Sequence, residues 1–192
     1  YSKVIKDKLP TKGATNWFNN ILSMIVYCKV GIGGVPEYLT SEHNKRTKIL
    51  ELKPKQIAEN YERATTAIQR ALCFMQIRTG IVHADDLTYQ LMLIPIAYVL
   101  DEDSNWKDKK AWDKIEYWYW LSVFAGNYQN RQNESCVEDT KLLYEWIKDN
   151  SRNPFEDRIG KLLNVPEYSD KSTFLHKNEY ELPPPAMHSF LQ

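Results

Sequence analysis

The stretch AWDKIEYWYWLSVFAGNYQNR, Ala111 to Arg131, constrains the fold more than any other. It sets Tyr117, Trp118, Tyr119 and Trp120 in a row, and rings of that size must be buried. At 3.6 residues per turn, Ala111, Ile115, Trp118, Ser122 and Ala125 share one face, and Trp112, Tyr119, Leu121 and Phe124 widen the apolar arc. This predicts a central helix wet on one narrow side. Gly126 suits the left-handed residue that closes a helix, so Asn127 to Asn133 should emerge as a loop beside the core.

A chain of 192 residues can bury a sizeable core without disulfides or metals. Lysine plus arginine equals aspartate plus glutamate at 25 each, so no overall basic field exists to gather nucleic acid or anionic lipid. Cys28, Cys73 and Cys136 are far apart, odd in number and outside any CxxC, a pattern that reads as a reduced cytoplasmic protein. The longest apolar runs, Ile21 to Val30 and Leu91 to Leu100, are too short to span a bilayer, and YSKVIKDK lacks a signal-peptide hydrophobic region. The chain lacks an initiator methionine and stops in AMHSFLQ, an apolar segment like the opening of another helix, so it reads as an internal piece of something longer.

Residues 1–14 read as a charged lead-in, 15–165 as a helical domain and 166–192 as an extended or short helical tail. From Thr15, a plausible cap, Trp17, Phe18, Ile21, Leu22, Ile25 and Cys28 recur at helical spacing. Gly31, Gly33 and Gly34 then break regular structure, with neither GK[ST] nor G-x-G-x-x-G to mark a phosphate loop. Alternation in Lys48 to Leu52 predicts one short extended segment within Asn44 to Leu52. Pro54 opens a long helix with a stripe of Ile57, Tyr61, Ala64, Ile68, Leu72 and Met75, closed by Gly80. Ala67 and Ala71 beside the stripe should let the aromatic helix come close. Asp85 or Asp86 can cap a helix running to Leu100, apolar almost all round and kinked or divided by Pro95. After the polar DEDSN and the aromatic helix, Ser135 can cap a helix carrying Val137, Thr140, Leu142, Leu143, Trp146 and Ile147. Asn153 and Pro154 start a short one with Phe155, Ile159, Leu162 and Leu163. STFLH can add a turn, and YELPPP is extended. The fold class that follows is mainly α, a multi-helix bundle around a buried aromatic helix.

No residue set spells out a reaction. There is no GxSxG, and His43, His83, His176 and His188 lie among loop-like residues, as surface histidines do. Paired carboxylates such as Glu59 with Glu62 are explained by solubility as well as by acid and base work. His83, Asp85 and Asp86 form a weak alternative metal site, but a third converging group is missing and capping accounts for both acids. The polar segment GNYQNRQN offers Tyr128, Asn130 and Arg131, the composition that stacks on bases and grips phosphates, and Lys45 and Arg46 add a small basic cluster. An ordinary interhelical loop and a solvated face have the same composition.

Two segments together resemble the GmrSD-type restriction proteins. DDLTYQLMLIPIAYVL is similar to that family's helix of the form liPLAy.l, and EYWYWLSVFAGNYQNRQNESCVEDTKLLYEWI to its fWr.s.fsgrYs pattern and following helix. ENYERATTAIQRALCFMQIRTGI fits the long helix before them, so the likeness covers about residues 55–150. The resemblance implies a ParB-like nucleotide-handling domain with a DGQQR signature upstream and often an HNH-type nuclease downstream. Neither signature is in this sequence. It thereby implies the non-catalytic central part of a bacterial or archaeal anti-phage protein, the parent being an NTP-dependent endonuclease. Gly126 and Tyr128 match the family's glycine and tyrosine, while Asn127 stands where arginine is commoner, leaving Arg131 as the phosphate-contact candidate. Implied partners are the flanking domains, DNA and a second copy of the chain, with no membrane and no cofactor in this fragment. A free-standing protein-interaction bundle, or a metal-dependent enzyme whose groups converge only in three dimensions, are the competing readings.

Overall fold

The structure, a computed structural model, describes residues 11–29, 39–83, 86–149 and 152–163. The fold is mainly α. In chain order it comprises α1 (Thr11–Met24), α2 (Arg46–Leu50), α3 (Pro54–Phe74), α4 (Leu93–Leu100), α5 (Asp103–Lys107), α6 (Lys109–Phe124), α7 (Gln132–Asp149) and α8 (Glu156–Leu163), with no strand among the described residues. Both α1 and α3 finish in a wider π-helical turn, Ile25–Lys29 and Met75–Thr79. None of the described helices is long and apolar enough to cross a membrane. The glycine-rich segment 31–34, Asp85, STFLH and YELPPP lie outside the described residues.

The helix with water on no side is α4. All eight of its residues are buried, and it packs against α1, α3 and α7. A helix this deep cannot leave its terminal backbone groups to solvent, and its neighbours supply partners at both ends. Leading into it, the Gln90 carbonyl accepts from Trp17 Nε1 at 3.0 Å, and the Leu91 carbonyl accepts from the Cys136 thiol at 3.7 Å. At the far end, Arg70 Nη1 donates to the carbonyls of Leu100 at 2.9 Å and Asp101 at 3.0 Å, and Asn105 Nδ2 to Val99 at 2.9 Å. A cation placed there also meets the negative end of the helix dipole.

The expected helix from Asp85 or Asp86 to Leu100 is corrected on one point. The α-helix begins only at Leu93, after a 3-10 turn over Gln90–Met92, so neither acid caps it. Pro95 therefore falls in the first turn, where its missing N–H has no intrahelical acceptor to disappoint. Four residues back, the Leu91 carbonyl is left for the Cys136 thiol.

The extended segment expected within Asn44 to Leu52 is helical instead: a 3-10 turn Ser41–Asn44 runs into α2. The alternation was too short to decide. At helical spacing Lys45 pairs with Glu42 and Lys48 with Glu51, and Ile49 and Leu52 turn inward while Leu50 stays exposed. DEDSN, read as loop, contributes to α5. The first helix begins at Thr11, four residues before the expected cap at Thr15.

Along α3 the buried face holds Asn60, Ala64, Ala67, Ile68, Ala71 and Phe74, while Tyr61 of the expected stripe is exposed. Small Ala64, Ala67 and Ala71 admit α1 and α4 rather than the aromatic helix, which α3 meets near its end, Phe74 lying edge-on to Trp112 at 5.4 Å. In α6, Ala111, Ile115, Trp118, Tyr119, Leu121, Ser122 and Val123 are buried, with Trp118 0 % exposed. Its open arc is wider than expected: Trp112, Trp120 and Phe124 are partly buried and Tyr117 is exposed. Gly126, at φ 64°, closes the helix in the left-handed conformation anticipated from the sequence.

Candidate functional site

The loop after Gly126 delivers Tyr128 into the core, where it meets side chains from three helices. Ser135, expected to cap α7, lies inside that helix, which starts at Gln132; its hydroxyl donates to the Asn127 carbonyl at 3.2 Å and fixes the loop. One face of α7 carries Cys136, Asp139, Thr140 and Leu143, all fully buried. An acid at the centre of an apolar face requires partners. Asp139 Oδ2 accepts from three donors, Trp118 Nε1 at 2.9 Å, Tyr128 OH at 3.1 Å and Arg158 Nη1 at 3.0 Å, while Arg158 Nη2 donates to Asp139 Oδ1.

Arg158, 9 % exposed, comes from α8 on the same face as Phe155 and Leu162. Its Nη1 also donates to Ser122 Oγ at 2.7 Å, and its guanidinium lies over the Phe155 ring at 4.7 Å. With its side-chain amide turned so that the oxygen faces the guanidinium, Asn127 accepts from Nε at 2.7 Å and from Nη2 at 3.2 Å. Four segments thus converge on one charge pair: α6, its following loop, α7 and α8. Burial, then the negative charge of Asp139, hold the Tyr128 phenol well above its ordinary value. The phenol therefore stays protonated and donates. The indole, phenol and guanidinium donors of this cluster all have acceptors, which describes a structural clasp.

A second polar cluster joins the π-helical turn after α1 to the 3-10 turn Ser41–Asn44. His43 stacks on Tyr27 with centroids 5.5 Å apart, and its Nδ1 accepts the Thr40 N–H at 3.0 Å and lies 3.9 Å from Cys28 Sγ. His43 is half-buried, where the sequence suggested a surface histidine. A thiol beside an imidazole is the start of a nucleophilic pair, but burial pushes Cys28 up to about 11 and holds His43 below its ordinary value, so both are neutral near pH 7. Cys136 is likewise pushed up by burial.

The residues singled out from the sequence separate into three groups. Tyr128, at 0 % exposure, has no ring face for a nucleic-acid base, which removes it as a stacking candidate. Asn130 and Arg131 are exposed, and Arg131 adopts φ 55° as the residue just before α7. Lys45 and Arg46 are exposed too, and their segment packs on the first turns of α7 through Asn44 Nδ2, 3.6 Å from Cys136 Sγ. The 3-10 turn that leads into Lys45 and Arg46 thus meets the helix that Arg131 immediately precedes. For the metal alternative, His83 is exposed and its carbonyl accepts the Asp86 N–H at 3.1 Å, while Asp85 lies outside the described residues. Among the described residues no three metal-ligating side chains converge.

Sequence reasoning missed Asp139 and Arg158. Both carried a signal, a charge at helical spacing between apolar positions: Asp139 between Cys136 and Leu143, Arg158 between Phe155 and Leu162. A further feature is an open groove of about 630 Å³ between α6 and α8, lined by Tyr117, Trp120, Leu121, Phe124, Ile159 and Leu162, with Asp113 and Glu116 at its edge.

No family model, curated protein or solved structure matches this chain. What fold and site define by themselves is a class: a mainly α fold whose buried polar centre is a clasp between helices.

Proposed function

We propose that the chain is the non-catalytic central helical part of a GmrSD-like restriction protein, joining its nucleotide-handling and nuclease domains and touching DNA at one end. The observation that carries the DNA contact is the packing of the 3-10 turn Ser41–Asn44, which leads into Lys45 and Arg46, on α7, the helix that Arg131 immediately precedes. Exposed cations on two adjoining elements can follow a phosphate backbone without any overall basic field. Support for the connecting role comes from the described part of residues 55–150, the span of the resemblance, which contributes to α3 through α7 with α4 buried among them.

The test is duplex DNA binding by the full chain, followed by fluorescence anisotropy across a salt series. Replacing Arg131, Lys45 and Arg46 together by alanine should weaken binding on every sequence and flatten the slope of log K against log salt by about 0.9 for each phosphate that is no longer neutralised. An unchanged slope, or no binding by the parent chain, removes the DNA contact. A DGQQR sequence encoded upstream in the same reading frame supports the family assignment, and its absence there rejects it.

The groove between α6 and α8 favours a second reading, an interaction module that receives a protein segment.

A further inference from the structure

The groove has a chemical character that the proposed DNA contact does not use. Tyr117, Trp120 and Phe124 stand at i, i+3 and i+7 on α6, forming a rank of rings along one wall, and Ile159 and Leu162 of α8 form the other. The Trp120 and Phe124 rings lie nearly parallel, 25° apart with centroids at 5.9 Å. Arg78 already pairs with both acids at the edge, Asp113 at 2.8 Å and Glu116 at 2.7 Å, and Lys109 also reaches Asp113 at 2.6 Å. The groove therefore carries no spare charge to attract an ionic ligand.

A neutral groove with a rank of aromatic rings is suited to polyproline II. Proline rings pack on aromatic faces, the segment is already extended, and its carbonyls have no internal partners, so an indole N–H such as that of Trp120 can donate to one. The chain holds one such segment, Leu182 to Ala186, with Pro183, Pro184 and Pro185 consecutive. We infer that this proline segment, which lies outside the described residues, docks in the α6–α8 groove of its own chain.

Dimensions agree. The α6 wall from Asp113 to Phe124 is ~16 Å long at 1.5 Å per residue, and five residues of polyproline II span ~15 Å. Pro183 lies 20 residues beyond Leu163, the last residue of α8. At up to ~3.3 Å per residue, 20 residues can span ~66 Å, more than enough to return to a groove that α8 itself lines. Tethering also raises the local concentration of the segment to the order of millimolar, so an affinity too weak for a free peptide suffices within one chain.

The test uses the full isotope-labelled chain and the indole N–H resonance of Trp120, assigned with Trp120→Phe. Replacing Pro183, Pro184 and Pro185 together by glycine should shift that resonance and the amides of 113–124 and 159–162. Adding the peptide YELPPPAM to the triple variant at a concentration on the order of millimolar, matching that of the tethered segment, should return them towards their original positions. Unchanged resonances in the triple variant overturn the inference. So does a parent spectrum at these positions that changes with protein concentration, since the segment would then come from a second copy. Equal rescue by a peptide with alanine in place of the three prolines removes polyproline as the ligand.

Discussion

Asp139 and Arg158 illustrate how a buried charge is kept. Each is costly to desolvate alone, and the pair is stable here because Trp118, Tyr128, Ser122 and Asn127 complete its hydrogen bonds. Asp139→Ala leaves the guanidinium buried without its counter-charge, so it should lower unfolding free energy by about 3–5 kcal/mol. Asp139→Leu with Arg158→Met should recover most of that loss. Urea denaturation of the single and double variants checks both, and a double variant no better than the single one rejects the account. His43 gives a second prediction at this scale. Its folded pKa lies below that of the unfolded chain because burial disfavours the imidazolium, with the positive charge of Lys48 acting the same way. Its contribution is complete above about pH 6.5 and is lost as pH falls towards the folded value. The parent should therefore lose more stability between about pH 6.5 and 5 than His43→Asn, whose amide oxygen can still accept the Thr40 N–H. Equal urea midpoints across that range would contradict this.

At the scale of the element, α4 is held at both ends by side chains as well as along its apolar surface. Trp17, Cys136, Arg70 and Asn105 bind carbonyls at the two ends, each from a neighbouring part of the chain. Pro95 belongs to that arrangement, since an N–H at this position would compete for the carbonyl that the Cys136 thiol now reaches. Pro95→Ala should change stability by less than about 1 kcal/mol, whereas Ile96→Pro, one residue further on, should cost about 3 kcal/mol or more by removing a bond within the helix. Thermal melts of the two variants distinguish a first-turn proline from an interior one.

Across the whole molecule, what could be read in advance followed periodicity. The closure of α6 by Gly126, the span of the long helix to Gly80 and the burial of Leu93 to Leu100 were all legible, because spacing and glycine placement are local properties. The short 3-10 and α2 turns were not, since five alternating residues fit either period until Lys48 and Glu51 are seen to pair. Tyr128 was misplaced for a different reason. A loop composition of Gly, Asn, Tyr and Gln does not say which side chain turns inward, and the answer depends on an acid eleven residues away on α7. The clasp itself joins residues from Trp118 to Arg158, and contacts of that separation leave only the weak mark of a charge on an apolar face.

That separation has a consequence for how the chain is made. Asp139 leaves the ribosome 19 residues ahead of Arg158, and synthesis adds about 5–20 residues each second. For that interval the nascent helices hold an acid that they cannot comfortably enclose. The last described helix therefore carries the key that lets the earlier ones lock, and translation has to reach it before the interior can close.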